Sequence, residues 1–134
     1  MSGHQTLWMS FVLRAAGIYN LVWGAVIVAF PTAGFDALGL EPPNHPEIVQ
    51  CLGMVVGVYG IGYWLAARDP LGQWPLVFVG LLGKVLGPIG FVYYAARGTL
   101  PWSFGLLNIT NDLIWWLPFT AIVVAGRARE RQHR

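Results

Sequence analysis

Four long apolar stretches, separated by short polar or proline-bearing segments, set the pattern of this chain. The first covers residues 7–30 and closes at Pro31. About 20 residues of helix cross the roughly 30 Å hydrocarbon layer of a bilayer, so this stretch reads as a membrane helix. Residues 31–46 carry Asp36, Glu41, Pro42, Pro43, Asn44 and His45, a composition that belongs in water or among headgroups, with a short interfacial turn expected over 35–40. A second apolar stretch covers 47–67 and stops at Arg68-Asp69-Pro70, where the proline ring cannot continue a helix. The third covers 74–96 and stops at Arg97-Gly98; Pro101 opens the fourth, 102–126, and an arginine-rich tail follows over 127–134. The pattern predicts an all-α integral membrane four-helix bundle that occupies the whole chain as one domain.

Composition sharpens the choice of solvent. Of the 134 residues, 56% are hydrophobic and only 10% charged, against roughly 25% charged in a soluble domain, so the chain cannot coat a water-facing surface. The first residues include His4 but no Lys or Arg before Thr6, unlike the basic start of a cleaved secretion signal, and the first stretch is kept as a span. Arginines collect at 127, 129, 131 and 134 without forming a broad basic face, which argues against a nucleic-acid partner. Four spans put both termini and Arg68 on one side, and the 36–47 loop with Arg97 on the other. The positive-inside rule then places both termini in the cytoplasm, with the chain multi-pass in the cell's inner (plasma) membrane. Trp8, Trp74 and Trp102 fall near span ends and read as interfacial anchors.

Glycines recur at spacings of three or four: Gly53, Gly57 and Gly60 in the second span, Gly80, Gly83, Gly87 and Gly90 in the third. Such small faces let helix backbones approach closely. They also suit a groove for a flat ligand or a lipid tail. Under the packing reading, Gly57 and Gly87 are expected to resist bulky replacements. The endings Tyr63-Trp64-Leu65-Ala66-Ala67-Arg68 and Tyr93-Tyr94-Ala95-Ala96-Arg97 resemble one another, as a duplicated hairpin or a chance pair of interfacial endings would. Cys51 is the only cysteine, which excludes an internal disulfide or a CxxC pair and reads as inert packing.

Charges inside the spans are the most informative feature. Arg14, Lys84 and Asp112 lie within the first, third and fourth stretches, where each costs roughly 2.5–3.5 kcal/mol at the centre of an isolated helix. Lys84 and Asp112 fall at similar depth on helices of opposite direction and are expected to pair. Arg14 sits nearer the cytoplasmic side, able to turn inward or to snorkel outward. Asn20 falls near mid-membrane; Asn108 and Asp112, four apart, share a helix face, with Asn111 beside them. Gln50 lies nearer the outer end of the second span. Pro88 has no N–H for the carbonyl of Lys84, and Pro118 none for that of Ile114, so both helices are expected to bend there. Arg14, Asn20, Lys84, Asn108, Asn111 and Asp112 are thus the candidates for a polar centre, which either fixes helix register or serves a ligand or proton.

His4, His45 and His133 lie outside the spans, which argues against a paired-histidine haem in the bundle. His45 with Glu41 and Glu47 could at most hold a metal weakly at the outer surface. No phosphate loop and no catalytic triad can be assembled from the residues within the membrane.

The segments Gly17-Ile18-Tyr19-Asn20, Gly83-Lys84-Val85-Leu86-Gly87-Pro88-Ile89-Gly90 and Asn111-Asp112-Leu113-Ile114-Trp115-Trp116-Leu117-Pro118-Phe119 are similar to those of small bacterial four-helix membrane proteins. The general architecture resembles the DoxX-like group, over most of the chain. That resemblance implies work beside quinones or redox enzymes, without a residue-level quinone motif. A peroxide-reductase activity, a label carried by some such proteins, is not supported by Cys51 alone. The leading expectation is a non-enzymatic membrane module or subunit that binds a lipophilic partner: quinone, lipid, another membrane protein or a second copy of the chain. The alternatives are a DoxX-like redox-enzyme subunit in which Lys84 and Asp112 manage protons for a cofactor, and a proton-coupled transporter or channel acting as an oligomer.

Overall fold

Each apolar stretch forms helix in the computed structural model, which describes residues 3–133, with side chains from Thr6 onward. Met1 and Ser2, part of the segment weighed as a signal, and Arg134 of the tail lie outside the described residues. Helix α1 is Gly3–Ala29, α2 is Ala33–Ala37, α3 is Pro46–Ala66 and α4 is Trp74–Ala96. The last span is composite: a 3-10 turn Trp102–Gly105, a short α5 Leu106–Asn108, a π turn Ile109–Leu113, and α6 Ile114–Gln132. Four segments are long and apolar enough to cross a membrane: Thr6–Ala29, Pro46–Ala66, Trp74–Ala96 and Trp102–Gln132. No strand occurs among the described residues. The chain is a multi-pass, all-α membrane protein.

Local chemistry explains the boundaries. Pro46 and Pro75 stand in the first turns of α3 and α4, where an N–H would have no helical acceptor anyway. Gly98 closes α4 with φ +73°; its N–H reaches Ala95 O and that of Thr99 reaches Tyr94 O, both at 3.0 Å, the paired bonds of a Schellman ending that only glycine enters without strain. Gly39, φ +66°, ends α2 in the same way, with Leu40 N bonded to Phe35 O at 2.9 Å. Gln50 Nε2 donates to Val28 O at 2.8 Å, occupying a carbonyl at the end of α1 that has no helical partner.

Residues 127–132 of the arginine-rich tail prolong α6. Contacts to the loop between α3 and α4 account for this. Arg129 Nη1 stands 3.3 Å from Asp69 Oδ1, the Trp74 indole donates to Glu130 Oε2 at 3.2 Å, and the Arg127 guanidinium lies 5.9 Å from the Trp74 ring centre. Trp74 is therefore half-buried in a clamp, whereas Trp8 and Trp102 are exposed near helix ends as anchors should be.

The helices associate as two pairs, α1 with α3 and α4 with α6. The first pair is built on glycine. A methyl added at Gly24 would come 2.5 Å from Gly53 O, and one at Gly60 would come 2.7 Å from Gly17 O, so backbone lies against backbone. The expectation attached to Gly57 and Gly87 changes accordingly. A methyl at Gly57 would meet nothing within 4 Å, and one at Gly87 only the Asp112 carboxylate at 3.4 Å. Close packing belongs to Gly17, Gly24, Gly53 and Gly60, with the Gly57 backbone 3.0 Å from a methyl at Gly24, because α1 and α3 cross there.

The packed core lies toward the end that holds both termini: Leu13 and Ala16 of α1, Tyr63 and Ala66 of α3, Val77 of α4, and Phe119 and Ile122 of α6 are fully or almost fully buried. Tyr63, 2% exposed, contrasts with Tyr93, 55% exposed, so the two similar sequence endings occupy unlike environments. Cys51 is exposed on the outer surface rather than packed inside.

Candidate functional site: a cavity between two helix pairs

Above the packed core the two pairs separate. Helices α3 and α4 touch near their connecting loop, where a methyl on Gly62 would meet Leu76 at 3.3 Å and Gly80 lies against the Tyr63 ring. Farther along α4, Gly83 and Gly90 have open space on their small faces. The result is a cavity of about 390 Å³ whose walls include Leu52, Val55 and Val56 of α3, Val79, Gly83 and Gly87 of α4, and Trp23 of α1. Leu52, Val55, Val79, Gly83 and Gly87 are also exposed on the outside of the bundle, so the cavity opens sideways between α3 and α4. The glycine faces thus divide: Gly53 and Gly60 of α3 pack against α1, whereas Gly83 and Gly87 of α4 line a groove.

The inner side of the cavity is polar. Asn20 comes from α1, Lys84 from α4, and Asn111 and Asp112 from the π turn. All three sequence segments singled out above converge here, because α1 and α4 flank the composite span. The Tyr19 hydroxyl bridges the Asn111 amide oxygen and Thr110 Oγ1, the latter at 3.0 Å, and so ties α1 to the π turn.

The π turn explains how Lys84 is held. In such a turn hydrogen bonds span five residues rather than four, as between Ile114 N–H and Ile109 O, and the carbonyls leave the regular ladder. Two of them accept side chains instead: Thr110 O from Trp115 Nε1 at 3.0 Å, and Asn111 O from Lys84 Nζ at 2.6 Å. Lys84 is 7% exposed, and its ammonium stands 5.8–5.9 Å from the ring centres of Tyr63, Trp115 and Phe119, which attract a cation through their electron-rich faces. The main-chain carbonyl of Lys84, left without a helical donor by Pro88, accepts from Trp116 Nε1 at 2.9 Å.

The expected Lys84–Asp112 ion pair is not formed. The two groups influence each other electrostatically, but they stand beyond 4.0 Å, because the Asn111 carbonyl and three rings hold the ammonium. Among the described residues no group within hydrogen-bonding distance donates to the Asp112 carboxylate, and the Asn20 amide, on a residue only 5% exposed, has no partner either. No fully enclosed side-chain nitrogen or oxygen lacks a partner among the described residues. Both groups therefore reach into the cavity.

Two candidates fall elsewhere. Arg14 takes the outward course: it is exposed, in a shallow apolar groove on the outer side of α1, with its guanidinium 5.9 Å from the Trp64 ring centre. Asn108 is half-buried and does not line the cavity, since the π turn rotates Asp112 relative to an α spacing. Conversely, Tyr19, Tyr63 and Trp116, and Tyr59 in the cavity wall, were not legible as site residues. The prolines gave one signal, by identifying the carbonyl that Trp116 satisfies.

Chemically, the site offers an open carboxylate, an open amide and a fixed compensating cation at the end of an apolar chamber. His45 Nδ1 lies apart from it and pairs with Glu47 Oε1 at 2.9 Å. No known protein family, curated protein or solved structure matches the chain, so the DoxX-like resemblance has no support from these comparisons.

Proposed function

We propose that this membrane protein is a binding module, which takes a lipophilic molecule from the bilayer through the gap between α3 and α4 and holds its polar end at Asn20, Asn111 and Asp112. The observation that carries this reading is the cavity of about 390 Å³ with apolar walls, a sideways opening and unpartnered polar groups at its inner end. Polar groups facing space inside a membrane protein are costly unless a ligand or water completes them. A quinone, a lipid or the apolar segment of another membrane protein meets the general requirement, and the DoxX-like resemblance is compatible with the first. The arginine excess at the end that carries Arg68, Arg127 and Arg129 favours a cytoplasmic position for both termini in an inner membrane.

Purification from native membrane followed by mass spectrometry of retained small molecules tests the binding. Gly83→Leu should fill the chamber without backbone collision, leave the protein folded and remove the retained molecule. Equal retention by the two proteins would refute the proposed location. Cysteine labelling at the 36–47 loop and at the α6 end tests orientation, and modification of the α6 end from outside intact cells would reverse it.

A further inference from the structure

The cavity's hydrogen-bonding inventory identifies a ligand class, an inference that rests on reading the cavity as a ligand site. Asp112 offers lone pairs with no donor among the described residues, while the Asn20 amide offers an N–H donor from a residue only 5% exposed. Lys84 does not compete for the ligand, because its ammonium is engaged by Asn111 O at 2.6 Å and by three rings. It does balance the charge of Asp112.

We infer that the cavity selects an uncharged lipophilic hydroxyl compound, a phenol or an alcohol, whose O–H donates to Asp112 and whose oxygen accepts from Asn20. An anionic head would meet the open carboxylate at low dielectric, and a cationic head would add a second positive charge beside a carboxylate that Lys84 already balances. A neutral hydroxyl satisfies one acceptor and one donor with a single atom. The missing side chains of Gly83 and Gly87 in the cavity wall leave room for a planar ring beside that hydroxyl.

The test uses the full-length protein in lipid nanodiscs, with empty nanodiscs correcting for partition into lipid. Three probes of matched size are compared: 4-hexylphenol, its methyl ether and 4-hexylbenzoate. The phenol should bind, the ether should bind about tenfold or more weakly because it cannot donate to a charged acceptor, and the benzoate should bind more weakly than either. Asp112→Asn, an isosteric change checked for folding by its melting curve, should reduce the phenol-to-ether ratio toward one. Asn20→Ala should weaken phenol and ether together. Equal binding of phenol and ether to the unmodified protein, or tightest binding of the benzoate, would overturn the hydroxyl assignment while leaving the cavity a ligand site. Failure of all three probes to bind above the lipid blank would overturn both the assignment and the reading beneath it.

Discussion

The indole N–H of Trp116 donates to the main-chain carbonyl of Lys84 across 2.9 Å, in the place of the helical donor that Pro88 lacks. A proline on one helix thus creates a requirement met from another. Trp116→Phe should lower stability by about 1–3 kcal/mol, because a buried acceptor is orphaned. In a Pro88→Ala background the restored N–H can serve that carbonyl, and the same change should cost less. Unfolding of the four proteins in detergent closes the cycle; equal costs in the two backgrounds would show that the bond is not what Trp116 contributes.

Lys84 and Asp112 should behave unequally. Lys84→Met removes the donor to Asn111 O and the cation held by Tyr63, Trp115 and Phe119, and a loss of about 1–3 kcal/mol is expected. Asp112→Asn removes no protein hydrogen bond and should cost about 1 kcal/mol or less. Their coupling in a double-mutant cycle should stay below about 1 kcal/mol, since the charges interact without contact. A rescue of several kcal/mol in the double variant would indicate a direct ion pair instead.

Alanine at the glycines should separate packing from lining positions. Gly24→Ala and Gly60→Ala drive a methyl into backbone at 2.5 and 2.7 Å and should destabilise by about 1–3 kcal/mol. Gly83→Ala and Gly90→Ala meet open space and should be neutral or stabilising by up to about 1 kcal/mol, through helix propensity. Melting temperatures in one detergent decide the matter, and a uniform loss across all four variants would contradict the described interface.

At the end that holds both termini, Arg129→Ala should change stability by about 0.5 kcal/mol or less, because the exposed pair with Asp69 is screened by water. Asp69→Ala should cost more: its Oδ1 also accepts Gly72 N–H at 3.0 Å in the loop. Chemical unfolding of the two variants side by side would reveal the difference, and a larger loss for Arg129→Ala would reverse the assignment of roles.

Much of the architecture was already legible along the chain. Span lengths, the helix stops before Pro31 and Pro70 and the end at Gly98 follow from the length that hydrocarbon demands and from local backbone chemistry, neither of which needs a partner helix. The residue types of the polar centre were equally visible, because Asn20, Lys84 and Asp112 are conspicuous in apolar surroundings. Which of them meet was decided only by the tertiary structure. In a water-soluble helix the polar side marks the outside, but here Leu52 and Val58 on the surface are as apolar as Leu13 and Val77 in the core, so hydrophobic periodicity could not assign the faces. Nothing local distinguished Gly24, pressed onto Gly53, from Gly83, facing open space. The outward turn of Arg14, the π turn that brings Asn111 and Asp112 to the cavity, and the capture of Lys84 by a carbonyl and three rings depend on how α1, α3, α4 and α6 pack. That packing is a balance of close contacts between helices which no single span contains.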